Sequence, residues 1–184
     1  MSDTSIPGLL TDDVRLTVPL DHFDDSDPRT IEIYARLVST RHNQDKPWLV
    51  FLQGGPGCES PRPTLVDPGF PGWLRRALND YRLVLLDQRG TGRSHRIDAL
   101  SPAAERTAEH LALLRQDNIV RDAERLREHL GLEKWSLFGQ SFGGFCITAY
   151  LSQAPERVEH AFFTGGIPTL QGADDLYRAT FRKL

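Results

Sequence analysis

The sequence has only two cysteines, Cys58 and Cys146, too few for a disulfide framework. They also lack the Cys/His spacing that holds zinc. Free thiols are expected, and no metal or cofactor is implied. Long apolar runs are missing as well: stretches such as Trp48–Leu52 and Leu83–Leu86 fall far short of the roughly 20 residues that span a bilayer. The opening MSDTSIPGLLTDD has neither a basic start nor an apolar stretch closed by small residues, so a secretory signal is not expected and a cytoplasmic address is the default. Charge of one sign is lacking too. The 22 Lys and Arg are interspersed with 25 Asp and Glu, for a net charge of −3, which creates no field to gather nucleic acid or an anionic membrane. Neither is expected as a partner, and the oligomeric state is left open.

What is present reads as a core-forming domain of alternating strands and helices. Apolar and polar residues alternate over 14–19 and 30–38, with Asp24–Asp27 and Pro28 supplying a turn between them, which predicts an antiparallel hairpin. Trp48–Leu52 and Leu83–Leu86 are continuously apolar, as strands covered on both faces tend to be. A short helix is expected over 73–78, after a Pro- and Gly-rich loop at 61–72. Ile119, Val120, Ala123, Leu126 and Leu130 recur at helical spacing. Asp117 or Asn118 is placed to cap that helix, and Gly131 to end it. A strand at 135–138, a helix at 142–153 stopped by Pro155, and a strand at 158–164 follow. Such alternation with short connections predicts an α/β fold: a mostly parallel sheet with helices on its faces, led by the N-terminal hairpin.

Three segments carry chemistry. Gly139-Gln140-Ser141-Phe142-Gly143 fits G-x-S-x-G between a strand and a helix, where a sharp turn exposes the serine hydroxyl above the sheet. Gly139 and Gly143 give neighbouring elements room to approach. Ser141 is the candidate nucleophile, and the Phe142 N–H, at the start of the helix, a candidate oxyanion donor. The plainer reading of Ser141 is a helix cap after a glycine turn. Gln53-Gly54-Gly55-Pro56-Gly57 follows the 48–52 strand, in the place of a second oxyanion donor, where glycine lets a backbone N–H face the substrate oxygen. Read alone, this loop could cradle a phosphate, but it lacks G-x-G-x-x-G spacing and a Gly-Lys-Ser/Thr ending. Asp87-Gln88-Arg89-Gly90-Thr91-Gly92-Arg93-Ser94 packs an acid and two arginines into a turn. Its reading is a scaffold, with Asp87 and Arg89 in it: an Asp–Arg pair and flexible glycines brace a loop beside the site without taking part in the chemistry. Gly54, Pro56 and Gly57 belong to the same scaffold. Cys58 and Glu59 either line the mouth of the site or are ordinary loop residues.

In this order and spacing, Gly54–Gly57, Asp87–Ser94 and Gly139–Gly144 resemble the motifs of the prolyl aminopeptidases (proline iminopeptidases) among the α/β-hydrolases. The resemblance continues through Ala154-Pro155-Glu156-Arg157-Val158 and Thr164-Gly165-Gly166-Ile167-Pro168, over residues 12 to 184. It implies that Ser141 attacks the carbonyl of an N-terminal proline in a peptide or small amide, with Gly55 and Phe142 N–H groups holding the oxyanion. Gln53 stands where many members have histidine, which favours a larger-bodied branch. The family's acid and histidine follow later strands, and its amine-binding carboxylates come from a helical cap. On this reading, residues 1–170 are the N-terminal part of an α/β-hydrolase core, truncated after about the sixth strand, and 171–184 begin the cap with a helix over 174–181.

Serine needs an adjacent base, and the order in this fold is nucleophile, acid, histidine. After Ser141 the only histidine is His160, at the entrance of its strand and so at the end opposite the site. His95 is read as a loop residue, and Asp174 and Asp175 as the first turn of the cap helix rather than the acid. The expectations for function are therefore a serine aminopeptidase, an α/β-hydrolase acting on esters or other amides, or an inactive truncated chain with an uncovered sheet edge and a tendency to aggregate.

Overall fold

The computed structural model describes residues 6–64, 72–166 and Arg178. Its strands are β1 (Leu10–Pro19), β2 (Thr30–Ser39), β3 (Trp48–Leu52), β4 (Arg82–Asp87), β5 (Trp135–Gln140) and β6 (Val158–Thr164). They form one sheet in the order β1-β2-β4-β3-β5-β6. β1 and β2 make the expected hairpin, from Leu10 opposite Ser39 to Pro19 opposite Thr30. β2 joins β4 antiparallel, and β4, β3, β5 and β6 are parallel. The helices are α1 (Gly72–Ala77), α2 (Ala108–Ala112), α3 (Gln116–His129) and α4 (Phe142–Gln153).

The apolar runs of β3 and β4 are explained by cover on both faces. Val50, Leu52, Val84 and Leu86 pack with Ile119, Val120, Ala123 and Leu126 of α3 and Cys146, Ile147 and Tyr150 of α4. The alternate residues Leu49, Phe51, Leu83 and Leu85 pack on the other face with Leu74 and Leu78. Side chains of this size contribute about 1.5–3 kcal/mol each when fully buried, and most here are within a few per cent of complete burial. A chain of hydrogen bonds locks the helix layer to the sheet: Trp135 Nε1–H donates to Tyr150 Oη at 2.9 Å, and Tyr150 Oη–H donates to Glu124.

Two local expectations are corrected. Neither Asp117 nor Asn118 caps α3; the helix begins at Gln116, and Arg115 at its N-cap makes no side-chain cap bond. Asn118 is instead buried inside the first turn, where its Oδ1 accepts the His22 N–H at 3.0 Å. The segment between β4 and α3, left without structure by the sequence, holds a 3-10 turn at Ala103–Arg106 and the short α2, whose Thr107 accepts the His110 N–H. At the other end of α3, Gly131 has φ 67° and its N–H donates to the Glu128 carbonyl at 2.9 Å, a left-handed helix end as expected. The proposed boundary at 170/171, Asp174, Asp175, most of the 61–72 loop and all of the 174–181 helix except Arg178 lie outside the described residues.

Candidate active site

Because β3, β4, β5 and β6 run parallel, their C-terminal ends share one rim of the sheet. β3 there leads into the Gln53–Ser60 loop, β4 into the Gln88–Ser94 turn, and β5 into Ser141. Ser141 has φ 51° and ψ −115°, a region that only glycine enters without strain. The turn is held from both sides. Ser141 N–H donates to the Thr164 carbonyl of β6 at 3.0 Å, and the Gly144 N–H donates to the Ser141 carbonyl at 2.9 Å. The packing leaves no room for a side chain at Gly143, where a Cβ would sit 1.9 Å from the Leu52 carbonyl oxygen. At Gly54 a Cβ would lie 3.1 Å from the Ser141 Cβ, so the loop after β3 runs directly beside the serine.

Ser141 is exposed. Among the described residues its Oγ has no hydrogen-bond partner, and neither the Gly55 nor the Phe142 N–H has an acceptor. An unpaired hydroxyl with an unpaired N–H at the following helix start and another in the loop alongside suits attack on a carbonyl and stabilisation of the resulting oxyanion.

The loop after β3 turns at Gly55, with φ 122° and a cis bond to Pro56. Gln53 Oε1 accepts the Gly54 N–H at 2.9 Å, Gln53 Nε2 donates to the Glu59 carbonyl at 3.1 Å, and Gln88 Nε2 donates to the Gln53 carbonyl at 3.1 Å. Asp87 and Arg89 do not pair with each other. Asp87, fully buried, accepts the Ser60 N–H at 2.9 Å, the Arg93 N–H at 2.8 Å and Arg62 Nη2 at 2.6 Å. Arg89 instead makes a two-pronged pair with Asp122 of α3 at 2.6 and 2.7 Å and donates to the Leu113 carbonyl at 2.9 Å. His22 Nε2 reaches the same Asp122 at 2.8 Å. Ser60, Arg62, His22 and Asp122 carry no local signal for these contacts, because the partners they meet here lie 25 to 100 residues away. Gln88 was visible inside the Asp87–Ser94 segment, without a role.

All six histidines lie in described segments, and none is hydrogen-bonded to Ser141. His160 is exposed and its Nδ1 lies 3.5 Å from Ser136 Oγ, about five residues or ~16 Å of strand before Ser141. His95 faces Glu105 at 3.3 Å. Cys58 is exposed and Glu59 pairs with Arg62 at 3.2 Å. Cys146 is buried, which pushes its thiol up to about 12 and removes it as a nucleophile near neutral pH. Among the described residues no group of His, Cys, Asp and Glu is placed to hold a metal, and no helix is long and apolar enough to cross a membrane.

Comparison with known proteins agrees with this architecture. Residues 47–183 match a family described as the alpha/beta hydrolase fold. A proline iminopeptidase of Aeromonas sobria is 45% identical over 91% of the chain and 40% of its own length. One from Neisseria gonorrhoeae is 35% identical over 73% of the chain and 37% of its own. The chain thus spans about 40% of the length of these curated relatives. Among solved structures, a 2-hydroxy-6-oxo-6-phenylhexa-2,4-dienoate hydrolase from a Rhodococcus strain superposes with a TM-score of 0.57 at 20% identity, over 92% of the chain and 52% of its own. A putative acyltransferase from Salmonella enterica gives 0.59 at 20% identity, over 98% and 51%. At such identity these two speak for the fold alone.

Proposed function

The chain belongs to the α/β-hydrolase fold family, and from that premise we propose that it is the N-terminal portion of a serine aminopeptidase that releases proline from the N-terminus of peptides. The observation that carries the proposal is Ser141 itself: a non-glycine residue held at positive φ, exposed, with its hydroxyl and the Gly55 and Phe142 N–H groups unpaired among the described residues. Strain of this kind is kept where function uses it. The preference for proline rests on the named relatives and on the motifs shared with that family.

In the proposed reaction Ser141 Oγ bonds to the carbonyl carbon of the N-terminal proline while the carbonyl π pair moves onto oxygen. The Gly55 and Phe142 N–H groups donate to that oxyanion. Collapse breaks the C–N bond, the leaving nitrogen takes up the proton released from the Ser141 hydroxyl and departs as the amine of the next residue, and the prolyl ester left on Ser141 is hydrolysed by water. The hydroxyl proton needs a base, and no histidine of this chain is hydrogen-bonded to Ser141. The 184-residue chain is therefore expected to turn over slowly, with the oxyanion donors alone worth about 10³-fold over the uncatalysed reaction.

The test is hydrolysis of a chromogenic prolyl amide by the purified chain, with Ser141→Ala as control and an alanyl amide and a simple ester as competitors. A slow rate that favours the prolyl amide and vanishes in Ser141→Ala is expected. Activity that survives the substitution overturns the assignment of Ser141, and faster cleavage of the ester or alanyl amide overturns the preference for proline.

A further inference from the structure

The loop after β3 presents successive backbone N–H groups beside Ser141, and only one of them can be the donor assigned above. Gln53 decides between them. Its Oε1 accepts the Gly54 N–H at 2.9 Å and so occupies that donor. Its Nε2 donates to the Glu59 carbonyl at 3.1 Å and closes the loop on itself. Gly55, the next residue, turns at φ 122°, and among the described residues its N–H has no acceptor. The peptide plane between Gln53 and Gly54 is gripped from its other side as well. Gln88 Nε2 donates to the Gln53 carbonyl at 3.1 Å, from a residue only 2% exposed whose backbone carbonyl is held by Thr91 Oγ1–H at 2.7 Å.

We propose that Gln53 and Gln88 are positioning residues for the oxyanion site: together they fix the Gln53–Gly54 peptide, withdraw the Gly54 N–H, and leave the Gly55 N–H as the donor that loop offers. A glutamine can do this because one side chain carries both an acceptor and a donor. The peptide is clamped through its N–H and its C=O, so the plane cannot rotate without breaking a hydrogen bond. This inference rests on Ser141 being the nucleophile.

The experiment uses the chain as it is. The rate at which a fluorophosphonate labels Ser141 is followed by intact mass, because the phosphonyl oxygen develops charge where the oxyanion would. Gln53→Met and Gln88→Met are each expected to slow labelling by up to about 10²-fold, the scale on which a group misplaced by an ångström costs rate. Gln53→Glu keeps the acceptor for the Gly54 N–H and is expected to recover most of that loss; Gln88→Glu, which has no donor for the Gln53 carbonyl, is not. Unchanged labelling in both Met variants overturns the proposal while leaving Ser141 in place. Absence of any label on the unmodified chain overturns the nucleophile instead. In that case, or if the variants fail to fold, amide hydrogen exchange on the unmodified chain decides: Gly54 is expected to exchange more slowly than Gly55, and the reverse order overturns the role of Gln53.

Discussion

The rim that carries Ser141 and the anchor of the neighbouring turn on α3 use the same chemistry to opposite ends. In the anchor, Arg89 and Asp122 are buried, paired through two hydrogen bonds and joined by His22, so that every charge has a partner. At the rim a hydroxyl and two N–H groups have no partner among the described residues, and a non-glycine residue is held at positive φ. Between them stands Asp87, buried like Asp122 but spending its oxygens on Ser60, Arg62 and Arg93, the flanks of the site loops. Buried pairs of this type hold geometry more than they add net stability, since desolvation offsets much of their attraction. The anchor is satisfied so that the rim can remain unsatisfied.

Breaking the anchor should give the largest effect. Asp122→Ala leaves the Arg89 guanidinium buried without its carboxylate and removes the partner of His22, a situation that costs about 3–5 kcal/mol. Urea unfolding followed by circular dichroism should show that loss, with labelling of Ser141 little changed under conditions where the variant stays folded. A loss below about 1 kcal/mol would mean that the carbonyl contacts of Arg89 suffice.

The rim should respond in the opposite sense. Glycine accepts φ 51° and ψ −115° without strain, so Ser141→Gly relieves a backbone cost of about 1–3 kcal/mol and takes back part of it as unfolded-state entropy. A net gain of about 1 kcal/mol in urea unfolding is expected, together with complete loss of labelling. A destabilised Ser141→Gly would show that the turn around Ser141 is unstrained.

The contrast also marks what could be read from the sequence. Strands β3 and β4 were legible because both faces are buried and their composition follows, and α3 was legible from Ile119, Val120, Ala123 and Leu126 at helical spacing. The turn at Ser141 was legible because backbone approaches too close for a Cβ, Gly139 to Gly143 and Gly143 to Leu52, admit only glycine and so show in the composition wherever the partner lies. The partners of the Asp87–Ser94 turn were not legible, since Asp87 and Arg89 pair not within the turn but with Arg62 and Asp122, which fold in from elsewhere. The cap of α3 was misplaced for the same reason: Asn118 is committed to His22, nearly a hundred residues away. α2 escaped notice because five residues cannot display a period. Local steric demands leave a trace in composition, whereas buried polar contacts between distant segments leave almost none.

The smallest effect belongs to the core and sharpens the comparison through pH. Burial pushes the half-buried Glu124 carboxyl up, but hydrogen bonds from Arg127 and Tyr150 outweigh it and hold the group below its ordinary value of 4.5. A carboxyl lowered on folding stabilises the native state above its unfolded pKa, and that contribution is lost as pH falls through the folded value. Glu124→Gln should therefore be less stable than the parent at pH 7 by about 0.5 kcal/mol, the scale of a partly exposed ion pair. The two proteins should converge as pH falls below 4.5 and through the lower folded value. A difference that stays constant across that range would assign the loss to packing around Tyr150 rather than to the charge. Labelling of Ser141 should be the same in both proteins at pH 7, because Glu124 ties α3 to α4 and β5 beneath the rim and takes no part in the contacts that hold the loop after β3.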